Sequence, residues 1–273
     1  MPAFQLSQDL AESTMRDVLL SIVTVARNDH RRLAATIRSL EHFYDDDRFE
    51  HIVIDGNSTD ETQQFLQENS RRTNFKCLSE PDSGIYDAMN KGSHLAAGRF
   101  LLFLNCGDRM LASPEHVDSW LRPLTLENKA DIVCFCSRVQ LGTNTTTLMP
   151  QLAWPYRMPT SHQAMVFAED FMRAHAYDTR YRIAADFNLY LKADTTRVIL
   201  FPGVEPLTAI EAVGIASANP MQSYTEYLRA AAQNLGGAVK WQALARIWFK
   251  AVVVILLKKA LPENWVAALR RNI

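Results

Sequence analysis

The chain has 273 residues, 48% hydrophobic and 22% charged, a composition typical of a soluble globular protein with room for one sizeable core. The formal net charge of −1 gives no overall field to attract nucleic acid, so no nucleic-acid partner is expected. The longest apolar run, 251–257, is far shorter than the roughly 20 residues of a membrane-spanning helix.

The N-terminal stretch contains acids and lacks the apolar region of a secretory signal. The four cysteines include no CxxC pair with metal-site spacing, which favours reduced thiols in a cytoplasmic protein.

Strands and helices alternate four times in the first part of the chain. Apolar runs, the first of them rich in β-branched residues, predict strands, at residues 18–25, 51–54, 75–81 and 99–104. Asn28 is expected to cap the first helix, and Ser58 and Glu61 to form a capping box for the second. A third helix is predicted from residue 85, closed by Gly98.

This alternation favours an α/β fold with a mostly parallel central sheet flanked by helices. In such sheets, ligands bind beyond the carboxyl ends of the strands. The chemistry is therefore expected in four polar loops, "ARND", "DGNSTD", "EPDSG" and "NCGD".

The rest of the chain continues the pattern up to about residue 215. A helix is expected from Ser113 and Pro114, and a polar turn at "GTNTTT". Three further strands are predicted, with a helix before the last of them, at residues 131–141, 162–167 and 197–201 for the strands and 182–193 for the helix. Helices alone follow. We therefore divide the chain into an N-terminal extension, a catalytic domain and a C-terminal helical region, at residues 1–17, 18–215 and 216–273.

Two common nucleotide sites are disfavoured by the loop after the first strand. A Rossmann site needs G-x-G-x-x-G there, and a P-loop needs a glycine-rich turn ending in Gly-Lys-Ser/Thr. The stretch "TVARNDH" contains no glycine.

Four ordered stretches carry a more specific signal: "SIVTVARND", "HIVIDGNSTDET", "SEPDSGIYDAMNKG" and "GRFLLFLNCGD", with weaker support from "TSHQAMVF" and "IAADFNLYL". Together they resemble the family 2 glycosyltransferases over roughly residues 18 to 200, in particular bacterial enzymes that assemble exopolysaccharide or lipid-linked repeat units. The resemblance implies a GT-A type nucleotide-sugar-binding fold and a nucleotide-diphosphate sugar donor, with UDP preferred by family frequency.

The resemblance also implies a nucleotide site at the first two loops. Thr24, Ala26 and Asn28 would form its wall, and Asp55 would hydrogen-bond to the base or ribose, a role that suits a carboxylate acceptor. The alternative for Asp55 is an Asx turn with Gly56.

In the family, the last acid after the fourth strand ligates Mg²⁺ or Mn²⁺ bridging the two phosphates. Here the loop reads Asn105-Cys106-Gly107-Asp108, so Asp108 is the remaining anionic ligand. One carboxylate, waters and substrate phosphate still make a sensible shell for Mg²⁺ or Mn²⁺. Asn105 would contact the ribose or the metal's second shell. The alternative is a strand followed by a simple turn.

The longest stretch supplies four further candidates for the donor. Asp82 and Asp87 would lie on the sugar and nucleotide side, and Asn90 and Lys91 would face the diphosphate. For Lys91 the alternative is a solvated helix surface.

The general base implied by the resemblance is Asp186, which would take the proton of an acceptor hydroxyl. It could instead cap its helix. His162 and Gln163 are candidates for the acceptor or phosphate side, although a lone His at a strand start is also common as a structural residue.

The C-terminal region is basic and aromatic. From Lys240 to the end, seven Lys/Arg residues face one acid, Glu263, alongside Trp241, Trp248 and Trp265. Such a helix is typical of an anionic membrane interface, so we expect a peripheral protein on the inner face of the cell membrane. The alternative is a helical hairpin packed on the catalytic domain or on a second subunit.

The resemblance thus implies an inverting, metal-dependent glycosyltransferase acting on a glycan or polyprenyl-linked acceptor in surface polysaccharide synthesis. A sugar-phosphate nucleotidyltransferase would need a glycine- and basic-rich first loop. A catalytically inactive nucleotide-binding or scaffolding subunit stays open because the acid motif is thinned.

Overall fold

The computed structural model describes residues 18–127, 130–141, 144–201, 203–211 and 219–260. The predicted N-terminal extension and the last part of the tail, including Glu263 and Trp265, lie outside the described residues. In chain order the strands are β1 (Leu20–Ala26), β2 (Phe49–Asp55), β3 (Phe75–Ser79), β4 (Phe100–Phe103), β5 (Arg109–Met110), β6 (Ile132–Cys134), β7 (Ser137–Leu141), β8 (Asn144–Leu148), β9 (Met165–Ala168), β10 (Val198–Leu200) and β11 (Thr208–Glu211). The helices are α1 (His30–Ser39), α2 (Thr62–Asn69), α3 (Ile85–Leu95), α4 (Pro114–Glu127), α5 (Glu169–Ala174), α6 (Ala185–Tyr190), α7 (Pro220–Asn234) and α8 (Gly237–Ala260).

The central sheet has seven strands in the order β10-β6-β9-β4-β1-β2-β3. Its pairs are parallel except those of β9, which runs antiparallel to β4 and β6. The predicted mostly parallel sheet flanked by helices is confirmed. Because β1 lies between β4 and β2, the loops after these strands meet at one edge of the sheet.

The two faces of the sheet carry separate cores, as the alternation of side chains along a strand requires. On β1, Leu20 and Ile22 pack with α1 and α4, whereas Val23 and Val25 pack with α3, α6 and α7. The second core continues into α8 through Ala243 and Ile247. Hydrophobic contacts therefore cross the predicted boundary at residue 215, and that boundary stays a prediction.

A second sheet, in the order β5-β11-β7-β8, was not predicted. The single strand expected at 131–141 is wrong, because the chain changes sheets at Phe135 and Cys136. The Phe135 amide donates to Ala164 O (2.8 Å) and Cys136 O accepts from the Leu207 amide (2.9 Å), which ends β6 and starts β7. Of the turn expected at "GTNTTT", residues 144–147 instead belong to β8, which pairs antiparallel with β7, and residues 142 and 143 lie outside the described residues.

Three helix starts differ from the prediction. Asp29, one residue after Asn28, caps α1 by accepting from the Arg32 amide. Residues 58 and 61 form no capping box, because α2 begins at Thr62 without a side-chain cap and Ser58 is bonded to Asp55 instead. The helix predicted over 182–193 is the short α6, since residues 182–184 are not helical and their amides bond to partners described below.

Candidate active site

An open cleft of about 770 Å³ lies at the carboxyl ends of β1 and β4. Five of the predicted site residues line it, namely Ala26, Asp82, Asn105, Asp108 and Gln163. The lining carries charges of both signs, from Arg27, Arg32, Arg182, Asp82, Asp108 and Glu211. Guanidinium groups match the oxygens of phosphate groups, so the cleft suits a ligand that brings both phosphate and cation.

The loop that carries Asp108 is fixed by α1. The Thr36 hydroxyl donates to Asp108 O (2.8 Å) and accepts from the Gly107 amide (2.9 Å). Gly107 has φ +96, a conformation that side chains rarely adopt, and a Cβ there would lie 2.5 Å from Arg32 Nε. The glycine thus lets the Arg32 side chain pass over the loop beside Asp108.

Asp108 is a buried carboxyl group, with 5% of the residue exposed. Burial raises its pKa to about 7, opposed by a hydrogen bond from Gln163 and by the Arg32 charge and reinforced by Glu211. Beside it, Asn105 Oδ1 is buried and has no hydrogen-bond partner among the described residues. A buried acceptor without a donor and a carboxylate that is costly to ionise both favour a cation between them.

Asp55, by contrast, is saturated by its own neighbourhood. It is fully buried, its Oδ2 accepts from the Ser58 amide (3.0 Å) and the Ser79 hydroxyl (2.6 Å), and its Oδ1 accepts from the Ser58 hydroxyl. It lies outside the cleft lining. The structure therefore shows a loop-stabilising role for Asp55, through the amide of Ser58 rather than through the expected Asx turn, and a contact with the nucleotide stays a prediction.

Thr24 and Asn28 are also engaged within the protein. The buried Thr24 hydroxyl donates to Leu104 O (2.8 Å) and contacts His51 Nε2 (2.9 Å). Asn28, at φ 51, accepts with its amide oxygen from the Thr59 amide (2.7 Å). Asn28 thus ties the first two loops together, whereas Thr24 ties β1 to β2 and to the end of β4, and neither residue lines the cleft.

The candidates around α3 separate into two groups. Asp82 lines the cleft and accepts from the Gly84 amide (2.9 Å), while Asp87 accepts from the Ser83 amide (2.9 Å). The Asn90 amide group bonds to both backbone groups of Tyr177 (2.9 Å each). Lys91 pairs with Glu80 (2.7 Å), as expected of a helix surface. The structure does not bring these last two to the cleft.

Asp186 lies in the first turn of α6, and the N-cap of that helix is Ala184, so Asp186 does not cap it. Its Oδ1 accepts from the Phe187 amide (2.8 Å). Burial raises the pKa of Asp186 to about 6, partly offset by that amide and by Tyr86. The Tyr86 hydroxyl also donates to Ile183 O (2.7 Å), and both of these residues line the cleft. The Asp186 carboxyl group, which is not part of the lining, therefore lies just behind this part of the cleft wall.

His162 has a packing role in this structure. Its Nε2 shares a hydrogen bond with the Tyr177 hydroxyl (2.6 Å), and its ring stacks on Phe103. Burial lowers its pKa to about 4, which keeps it neutral. Its neighbour Gln163 reaches the cleft and bonds to Asp108.

A smaller cavity of about 300 Å³ adjoins the cleft on the side of α7. The two share Gly84, Ile85, Tyr86, Arg182 and Ile183, and the smaller one adds Asp87, Thr179 and Gln222. The pair of cavities thus meets at the segment that precedes Asp186.

Among the described residues, one cluster holds three potential metal-ligand atoms within 4.8 Å of one another, His30, Asp60 and Glu61. Its residues do not line the cleft. Asp108 belongs to no such cluster among the described residues. A cation beside its carboxylate therefore needs further oxygen ligands from a bound substrate.

Four charged residues of the cleft were not predicted: Arg27, Arg32, Arg182 and Glu211. Arg27 lies in the loop "ARND", directly after β1. Its positive charge at the carboxyl end of a predicted strand could have indicated a phosphate-binding residue. Arg32 pairs with Glu211 (3.3 Å) across 179 residues, a contact that no local pattern indicates. Within the described residues, Arg27 and Arg182 form no ion pair.

The sequence matches a known family and a known protein. The profile of the family described as "Glycosyl transferase family 2" matches residues 21–189. An uncharacterized glycosyltransferase of Mycobacterium tuberculosis is 33% identical over 184 residues, which cover 64% of this chain and 68% of that protein.

Solved structures share the fold at low sequence identity. Staphylococcus aureus TarS 1–349 in complex with UDP superposes with a TM-score of 0.62 and 17% identity, covering 84% of this chain and 70% of that one. The mannosyltransferase PcManGT of Pyrobaculum calidifontis, in complex with GDP-Man and Mn²⁺, superposes with a TM-score of 0.58 and 14% identity, covering 91% and 73%. The expected GT-A type fold is confirmed by these neighbours.

Proposed function

Because the chain belongs to glycosyl transferase family 2, we propose that it transfers a sugar from a nucleotide diphosphate, UDP preferred, to a hydroxyl of a glycan or lipid-linked acceptor in bacterial surface polysaccharide synthesis. The reaction inverts the anomeric carbon. The observation that carries the proposal is the single cleft where buried Asp108 and three arginines, Arg27, Arg32 and Arg182, line the same space.

The residues around Asp108 fit a divalent cation, Mg²⁺ or Mn²⁺. The Asp108 carboxylate and the unpartnered Asn105 Oδ1 are the hard oxygen donors that such ions prefer. A bound ion would neutralise charge on the leaving diphosphate. Arg27 and Arg182, both in the cleft lining, add fixed positive charge for the phosphate oxygens.

Asp186 supplies the base in this mechanism. Its carboxylate accepts the proton of the acceptor hydroxyl as that oxygen attacks the anomeric carbon, and the bond to the nucleotide diphosphate breaks with its electron pair on the leaving phosphate. A pKa of about 6 leaves the group largely ionised at neutral pH and still basic enough to take a proton. One displacement of this kind inverts the configuration.

Donor hydrolysis with water as acceptor tests the proposal without knowledge of the natural acceptor. We expect slow release of UDP from at least one of UDP-glucose, UDP-galactose and UDP-GlcNAc in the presence of Mn²⁺, with the β-anomer of the sugar formed first, as read by proton NMR. The α-anomer would contradict inversion. Absence of hydrolysis and of nucleotide binding would favour the inactive-subunit alternative.

The C-terminal region supports the proposal of an anionic membrane surface as a further partner. Along α8, Ala243, Ile247 and Val254 are buried, so one face packs on the protein as the hairpin alternative requires. The exposed hydrophobic side chains of α8 include Trp241 (70%), Trp248 (60%), Phe249 (61%) and Leu256 (60%). No helix in the described part of the chain is long and apolar enough to cross a bilayer. Exposed aromatics beside Lys and Arg suit attachment to the interface, which would place the enzyme on the cytoplasmic face.

Liposome sedimentation tests this attachment. The full chain is expected to sediment with phosphatidylglycerol vesicles at low salt and to lose most of that binding when Trp241 and Trp248 are both changed to Ser. Val204→Ser, at another exposed apolar side chain (76%), serves as the matched control and should bind normally. A full chain that stays off anionic vesicles would end the proposal of membrane attachment.

A further inference from the structure

Glu226 is a buried acid of α7 that the mechanism above does not use. The residue is 6% exposed, and its carboxylate lies against the segment that leads into α6. A buried carboxylate is costly unless it is well hydrogen-bonded, so its partners show what it does.

The partners are successive backbone amides. Glu226 accepts from the amides of Arg182 (3.1 Å), Ile183 (2.8 Å) and Ala184 (2.9 Å), and Gln222 Nε2 adds a fourth hydrogen bond (3.0 Å). Burial alone would raise the pKa of Glu226, but these donors leave it below its usual value, so the group is ionised at neutral pH. Charge-assisted bonds to three amides in a row fix the path of the backbone.

The fixed segment joins Arg182 in the cleft wall to the proposed base, Asp186, behind it. Arg182 and Ile183 line the cleft, and Asp186 follows two residues after Ala184. Other contacts from α7 reach the flanks of the same segment. Tyr227 stacks on Phe187 at 4.4 Å between ring centroids.

We infer that Glu226 is a positioning residue: by holding the amides of residues 182–184 from α7, it sets the place of the Asp186 carboxylate and of the Arg182 side chain in the cleft wall. The inference rests on the proposed function, since it takes Asp186 as the base. It makes the C-terminal helices part of the catalytic apparatus, because the anchor of the base lies in the region predicted as an appendage.

The electrostatic surroundings of Asp186 give the inference a distinctive readout. The titratable groups that face it are Tyr86 from α3, Tyr177 from the loop before α6, and Glu226 and Tyr227 from α7. Burial is the main cause of the raised pKa of Asp186, and the Glu226 charge adds to it. Removing that charge should therefore lower the pKa of Asp186 and move the acid limb of the rate profile to lower pH.

Glu226→Gln is the test variant, studied in the full chain by three measurements. Hydrogen exchange at residues 182–184 should become at least about 10-fold faster, since the amides lose a charged acceptor. Turnover of UDP-sugar hydrolysis should fall by about 10- to 100-fold, as for other orienting partners. The pKa of Asp186, read by carbon-13 NMR of labelled Asp carboxyls and assigned with Asp186→Asn, should fall.

The control is Gln233→Ala on the same helix, which removes a hydrogen bond to Tyr181 (2.6 Å) and leaves the Glu226 contacts intact. It should show wild-type exchange at 182–184 and a wild-type pKa of Asp186. If Glu226→Gln does not fold, Gln222→Ala removes the side-chain hydrogen bond that holds the Glu226 carboxylate in place. Hydrogen exchange at residues 182–184 should then also become faster.

Two results would overturn the inference: wild-type exchange and an unchanged pKa of Asp186 in Glu226→Gln, or a loss of UDP binding and thermal stability in proportion to the loss of turnover. Failure of the proposed function reads differently. Asp186→Asn would then hydrolyse donor at the wild-type rate, whatever the exchange data show at residues 182–184.

Discussion

The loops after β2 and β4 each carry a buried Asp, and the two carboxyl groups differ in how they are hydrogen-bonded. After β2, the Asp55 carboxylate is fully occupied by Ser58 and Ser79. After β4, Asp108 is also buried but has a raised pKa, and beside it the buried Oδ1 of Asn105 has no hydrogen-bond partner among the described residues. The hydrogen bonds of Asp55 stabilise the fold. Asp108 and Asn105 instead leave polar oxygens that a bound ligand can coordinate. Burial alone therefore does not identify the chemistry; the state of the hydrogen bonds does.

The largest expected effect is at Asp108. Asp108→Ala removes the carboxylate that we propose to hold the cation, and we expect metal-stimulated donor hydrolysis to fall by about 10³-fold, in line with the several kcal/mol that such charge stabilisation contributes. The free energy of unfolding, measured in urea, should stay the same or rise, because a costly buried acid is lost. A large loss of stability would place Asp108 in the same structural class as Asp55.

Asp186→Asn should lower turnover by about 10²-fold, the scale of general-base catalysis, while UDP affinity is unchanged. In the wild type, the rate should rise with pH through about 6 and then level, since the base acts in its deprotonated form above its pKa. Rates at a series of pH values check both points. An acid limb that persists in Asp186→Asn would assign it to another group.

Asp55 is expected to show the reverse of Asp108. Asp55→Ala leaves the Ser58 amide and two hydroxyls without their acceptor, and buried donors of this kind cost roughly 1–3 kcal/mol of unfolding free energy. Urea unfolding measures the loss, with Ser79→Ala as a smaller matched perturbation. If Asp55→Ala unfolds like the wild type yet fails to bind UDP, the carboxylate is a nucleotide contact and the comparison between the two loops breaks down.

The smallest predicted effect is acid destabilisation through His51. This buried ring lies between the Tyr44 hydroxyl and Thr24, and burial lowers its pKa to about 3. The unfolded chain takes up the proton first, near pH 6.5, so stability is lost as pH falls from there toward 3, by at most about 1.4 kcal/mol per pH unit. Unfolding between pH 7 and 5.5 should show a smaller slope in His51→Gln; equal slopes would assign the effect elsewhere.

Local pattern was sufficient to predict the strands that carry the site but not the contacts that define it. The apolar runs at β1, β2 and β4 indicated buried parallel strands, and the structure places a cleft beside the loops that follow β1 and β4, where the sequence predicted the site. The hydrogen bonds of Asp55 include one from Ser79, which lies in another strand. The segment before the proposed base, Asp186, is held by Glu226, 42 to 44 residues from the amides it binds. The second sheet escaped prediction because β5 has two residues and β8 is a polar run.

The most direct test is calorimetric titration with UDP, GDP and dTDP, with and without Mn²⁺, of the wild type and Asp108→Ala. The proposed site predicts that one nucleotide, with UDP preferred, binds more tightly with Mn²⁺ and that the metal effect disappears in Asp108→Ala. Binding of no nucleotide by the wild type, or an equal Mn²⁺ effect in both proteins, would contradict the assignment of Asp108 as the metal-binding carboxylate of a donor site.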